Sequence, residues 1–163
     1  MKRLLHTTVL GILLSMTVAC QADADKAAAA APATNTAANS VTVEAPFVRA
    51  IPPGQPNSAS FMTLVNTSDS DHSVKSAASP VAATVELHTH TNNNGVMEMR
   101  QVPQIDVPAK GRTELKPGGL HVMLIGLQQE LKVGETAAIT LTFEDGSTTT
   151  VNAPIQEVMP AKH

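Results

Sequence analysis

The sequence predicts an all-β domain, a sandwich or Greek-key barrel, and three observations carry that expectation. Apolar and polar residues alternate with period two over short segments, the pattern of half-buried strands. Turn-forming clusters separate those segments: Pro52-Pro53-Gly54, Asn66-Thr67-Ser68-Asp69, Asn92-Asn93-Asn94-Gly95, Pro117-Gly118-Gly119 and Glu144-Asp145-Gly146-Ser147. Asp-Gly between alternating segments is a strong hairpin cue. No stretch sustains a 3.6-residue period with helix caps. With three Phe and neither Trp nor Tyr, the core must be built from Val, Leu, Ile and Met. Many short strands at such spacing suit a sandwich or a small barrel.

In chain order, the basic start Met1-Lys2-Arg3 leads into an apolar run from Leu4 to Val18. Residues 1–20 read as a secretory signal peptide, too short and too interrupted to span a membrane. Small residues before Cys20 suggest lipoprotein cleavage, with Cys20 as the lipidated first residue; ordinary cleavage near Ala19 or Ala22 is the alternative. Either route exports the chain to the periplasm. Residues 21–40 are Ala-rich, hold Pro32 and lack any large apolar residue, so they read as a disordered tether. The folded part is expected over residues 41–163. Strands are expected at Val41–Glu44, Ser60–Val65, Val81–Thr89, His121–Leu127, Ala137–Phe143 and Thr148–Val151. A short tail from about residue 154 carries Met159, Pro160 and His163.

Composition narrows the function. After the signal, nine Lys and Arg face fourteen Asp and Glu, and no basic stripe is present, so nucleic acid is not an expected partner. Cys20 is the only cysteine, which forbids an intrachain disulfide. It also removes a blue-copper centre, which needs a thiolate inside the domain. No nucleophile–base pair, catalytic carboxylate pair or phosphate loop is legible, so an enzyme is not expected.

The residues that carry chemistry are His88, Met99, His121 and Met123. Ten residues separate the first two, twenty-one the next two, and one the last two. Thioether sulfur is a soft neutral donor, and copper(I) is the common biological metal that suits a mixed His/Met set. Alternation puts His121 and Met123 on one strand face, with Leu120, Val122 and Leu124 directed away from it. Glu86, His88 and His90 share a face, and Met97 and Met99 share another. By this reading His121 and Met123 lie outside the core. Taken singly each residue has an ordinary explanation: a lone Met usually fills a core gap, and a lone His is usually solvated or hydrogen-bonded. Met62 accordingly reads as core, and His72, in a polar turn, as solvated. Met159 and His163 could form an accessory site.

Residues 41–153 resemble the periplasmic copper chaperone family called PCuAC. The family pattern is a His, ten residues, a Met, twenty-one residues, then His-X-Met, which His88, Met99, His121 and Met123 match without a gap. Neighbouring segments are similar too: Pro52-Pro53-Gly54-Gln55-Pro56-Asn57, Ser79-Pro80-Val81, Gly95-Val96-Met97-Glu98-Met99-Arg100, Lys116-Pro117-Gly118-Gly119-Leu120-His121-Val122-Met123-Leu124 and Leu141-Thr142-Phe143-Glu144-Asp145-Gly146. One departure stands out. Many members carry Met two residues after the first His, where this chain has His90; a solvated side chain is expected there, with a third imidazole for copper(II) as the alternative.

The resemblance implies a cupredoxin-like β-sandwich that binds one copper(I) per domain near its surface, copper(II) being possible. It implies delivery to a recipient such as the copper-centre subunit of cytochrome c oxidase or another periplasmic copper protein. A monomer is expected, in contact with the membrane only through lipidated Cys20. A copper buffer with no dedicated recipient would need the same ligands, and a β-sandwich interaction module with incidental His and Met is the non-metal alternative.

Overall fold

The computed structural model describes residues 36–158 except Asn94; the signal peptide, Cys20, most of the tether, Met159 and His163 lie outside the described residues. One helical turn, α1 (Ala37–Ser40), precedes ten strands. These are β1 (Val41–Arg49), β2 (Asn57–Asn66), β3 (His72–Ala78), β4 (Ala82–Asn93), β5 (Val96–Gln101), β6 (Ile105–Val107), β7 (Arg112–Leu115), β8 (His121–Leu127), β9 (Thr136–Phe143) and β10 (Thr148–Gln156). The all-β expectation holds, as a cupredoxin-like sandwich. Among the described residues no helix is long and apolar enough to cross a membrane.

The strands run in the order β5-β4-β8-β2-β1-β10-β9-β3-β6, with β7 paired to β2 beside β8. Pairing is antiparallel except between β1 and β10, where Val48 lies opposite Ile155. That junction joins two halves that share one apolar core. Leu64, Leu87, Val122 and Leu124 come from one half, and Val74, Ile139, Leu141, Phe143 and Ile155 from the other. Met62 is core, 2 % exposed, as its place in a strand suggested. Aliphatic side chains alternating along flanking strands supply most of this burial, the usual source of stability in a sandwich.

Both ends of the folded region extend past their expected limits. Ala37 is fully buried, and its N–H donates to Asp145 Oδ2 at 2.8 Å, while Ala38 N–H donates to Ser147 Oγ at 3.0 Å. The four residues before Val41 are therefore held by the β9–β10 turn rather than belonging to a tether. That turn closes where Asp145-Gly146 indicated, with Gly146 at φ +79°, a conformation that favours glycine. At the other end β10 runs through Pro154 and Ile155, which is 1 % exposed, so the tail begins after Gln156.

His72 is a correction. It opens β3, and its side chain is only 11 % exposed. Its Nδ1 lies 2.6 Å from Glu144 Oε1 and its Nε2 3.2 Å from Ser68 Oγ. Pairing of β3 with β9 and β6 carries His72 beneath the 144–147 turn. Burial pushes the Glu144 carboxyl up, but hydrogen bonds from His72 and from the Ser73 N–H outweigh it and hold Glu144 below its ordinary value.

Candidate metal centre

Strand register assembles the site. His88 on β4 lies directly opposite His121 on β8, and Glu86 lies opposite Met123. On the other side of β4, His90 lies opposite Met99 on β5. Residues opposite each other in a ladder, and those two apart along a strand, share a face. One face of the β5-β4-β8 ladder therefore presents Met99, Glu86, His88, His90, His121 and Met123, while Leu87, Val122 and Leu124 turn to the core. All four expected donors are brought to one face.

That face is not open to water as the sequence suggested. His121 is 2 % exposed. Its ring centre lies 5.0 Å from that of His90, at 30°, and 5.8 Å from that of His88. Phe61 on β2 closes a third side at 6.3 Å and itself packs on Phe47 at 5.2 Å. Phe61 is buried yet stands apart from the main core cluster. A second, small cluster of rings thus covers the outer face of the sheet, and alternation could give direction but not this cover. Met123 is half-buried, whereas Met99 is 46 % exposed. His90 is half-buried and stacked, which corrects the expectation of a solvated ring.

The hydrogen bonds select the ring nitrogens. His88 Nε2 lies 2.7 Å from Glu86 Oε2; a carboxylate only accepts, so Nε2 is the donor, and in the neutral ring Nδ1 is the nitrogen that holds the lone pair. His121 Nδ1 lies 3.0 Å from the Gly119 carbonyl, so it too is the protonated nitrogen, and Nε2 keeps the lone pair. His88 Nδ1, His90 Nδ1 and His121 Nε2 are buried with no hydrogen-bond partner. Burial pushes the His121 ring below its ordinary value of 6.5; the Gly119 bond opposes this, and the neighbouring His90 and His88 add to it. A neutral imidazole with a free lone pair is the form a metal requires.

A cleft of about 960 Å³ opens onto this wall. His90, Met99, His121 and Met123 line it, together with Phe61, the Ile51-Pro52-Pro53 loop, Pro117-Gly118, Val133 and Val158. His88 is not among the lining residues; it stands beside His121, between that ring and Glu86. Among the described residues no three His, Cys, Asp or Glu groups converge into a ready cage. Glu86 as partner of His88, the Phe61 ring and the Gly119 carbonyl were not singled out by sequence. Only Glu86 left a signal there, two residues before His88 on the same face.

The chain is similar to several known proteins. The family model "Putative lipoprotein LpqE-like" matches residues 41–155. A relative in Leifsonia xyli subsp. xyli, named "Putative lipoprotein Lxx21020", is 35 % identical over 152 residues, covering 93 % of this chain and 88 % of its own. The solution structure of CuI-DR1885 from Deinococcus radiodurans is 38 % identical with a TM-score of 0.62, over 77 % of this chain and 85 % of its own. The copper-bound PCuAC domain from PmoF2 is 25 % identical with a TM-score of 0.64, over 76 % of this chain and 97 % of its own.

Proposed function

The chain belongs to the LpqE-like family, and from that membership and the donors on the cleft wall we propose that it carries copper(I) outside the cytoplasm and hands it to a recipient protein. The observation that carries the reading is the pairing of two buried, partnerless imidazole nitrogens with two thioethers on one ladder face. The ligands are His88 through Nδ1, His121 through Nε2, Met99 and Met123. One copper(I) binds per domain. The solved relatives that hold copper are similar across most of this chain, which supports copper as the cargo.

The chemistry suits a carrier rather than a catalyst. Two imidazoles and two thioethers are all neutral, so the bound ion keeps its single positive charge, which Glu86 offsets through His88. Thioethers need no deprotonation, and an incoming thiolate or imidazole can displace one donor at a time. The recipient is a periplasmic copper protein, with the copper-centre subunit of cytochrome c oxidase as the leading candidate. Lipidation at Cys20 holds the protein at the membrane surface, with the tether allowing it to reach its recipient; the lipoprotein names of the relatives favour this arrangement.

X-ray absorption on the copper(I)-loaded protein tests the ligand set, with a mixed nitrogen and sulfur shell expected. An all-nitrogen or all-oxygen shell would sink it. Mixing the loaded protein with apo recipient domains and following the metal tests delivery; copper that stays put would mark a buffer.

A further inference from the structure

Of the three buried ring nitrogens without a partner, the copper(I) set uses two. The third, His90 Nδ1, belongs to a ring stacked 5.0 Å from His121 on the wall of the same cleft, directly opposite Met99. Stacking alone does not account for it, because an aromatic hydrocarbon would stack there without burying a polar atom. We propose that the site also holds copper(II), with His88, His90 and His121 as its three imidazole donors and His90 the one that serves only the oxidised ion. This rests on the copper reading above and adds to it the oxidation state of the cargo.

The separation of roles follows from donor chemistry: imidazole suits the harder oxidised ion, thioether the reduced one. Ring spacing agrees. A metal–imidazole bond of about 2.0 Å sets the centres of two rings on one ion at about 4.5–6 Å apart. The pairs His90–His121 and His88–His121 stand at 5.0 and 5.8 Å. The nitrogens do not yet meet at a point, so binding requires side-chain rotation of rings that are already adjacent. His88 and His121 keep one nitrogen each on Glu86 and the Gly119 carbonyl throughout, which leaves His88 Nδ1 and His121 Nε2 as the nitrogens available to the ion.

The test titrates copper(II) alone, against a competing chelator, into the exported full-length chain, and copper(I) separately under reducing conditions. Wild type, His90→Ala, His90→Gln, His88→Ala and Met99→Ala are compared, and electron paramagnetic resonance reads the nitrogen ligands of copper(II). Wild type is expected to show three nitrogens. Both His90 variants should lose about tenfold or more in copper(II) affinity while retaining copper(I) affinity, and Met99→Ala should do the reverse. Agreement between the Ala and Gln variants separates ligand loss from misfolding. Normal copper(I) binding with copper(II) affinity unchanged by His90 substitution overturns this inference alone. A copper(I) loss in His90→Ala as large as in His88→Ala overturns the division of roles. Failure of wild type to bind copper(I) overturns the carrier reading and this inference with it.

Discussion

Replacing His121 by Phe should make the metal-free protein more stable and the copper-loaded protein less so. His121 Nε2 is buried without a partner, and an unsatisfied buried polar atom costs about 1–3 kcal/mol. Phe removes that cost. It also removes the hydrogen bond from Nδ1 to the Gly119 carbonyl, a loss of roughly 0.5–1.5 kcal/mol. The carbonyl is not orphaned, because it still accepts from the His90 N–H at 3.2 Å. The new ring joins Phe61 in a cluster that opens on the cleft, so its extra size has room. The net expectation is a gain of about 1 kcal/mol, a rise of roughly 2–5 °C in Tm for a domain of this size. Copper(I) at a thousand times its Kd stabilises wild type by about 4 kcal/mol and should leave the variant unmoved, so the order of stabilities inverts on loading. Urea denaturation under anaerobic conditions, with and without copper(I), reads both limbs. Acid adds a third: His121 titrates below 6.5 in the fold, so the unfolded chain binds its proton first, and wild type loses stability as pH drops below about 6.5. The variant lacks that contribution. A metal-free variant weakened by about 2 kcal/mol or more would show His121 to be a structural core residue, and copper protection of the variant would remove it from the ligand set.

Met99→Ala should weaken copper(I) binding and change unfolding free energy by less than about 0.5 kcal/mol, since the side chain is 46 % exposed; chelator competition beside urea melts checks both, and a large stability loss would make it a packing residue. Met123→Ala should weaken copper equally with a somewhat larger stability cost, because that side chain is half-buried. Glu86→Gln should release the His88 tautomer, visible in the ring nitrogen chemical shifts of the metal-free protein, and lower copper(I) affinity by about 10- to 100-fold; unchanged shifts would deny Glu86 its positioning role. Glu144 titrates below its ordinary 4.5, so its contribution is present above that pH and disappears as pH falls through the folded value. Glu144→Gln should therefore flatten the acid limb of the stability curve below about pH 4.5, and an unchanged limb would refute the sign.

Much of this was legible in the chain because it depends on local rules. His121–Leu127 was read with both ends right, since a strand bounded by Gly118-Gly119 and carrying alternating Leu, Val and Leu leaves little choice. The Asp145-Gly146 hairpin was read from turn chemistry alone. What escaped depends on distant neighbours. β3 has only Val74 as a large apolar residue, and β6 and β7 have three and four residues; pairing defines them, not pattern. The same holds at the site. Period two placed His121 and Met123 on the outer face, but whether that face is wet depends on Phe61 and Phe47, which arrive from β2 and β1. The partner of His88 is two residues away and visible in principle; the stacking of His90 on His121 is set by the β4–β8 register and is not.

On the carrier reading proposed above, that register also bears on how copper would leave. His88 and His121 stand on β4 and β8, inner strands bonded on both sides, each with one ring nitrogen tied to Glu86 or to the Gly119 carbonyl, and Met123 shares β8 with His121. Met99 stands on β5, the end of the strand order, bonded on one side only and exposed. Edge strands with solvent-exposed hydrogen bonds open at lower cost than inner ones. On the proposed carrier reading, a competing donor entering the cleft meets Met99, the most exposed of the four proposed ligands, first, and the buried imidazoles last.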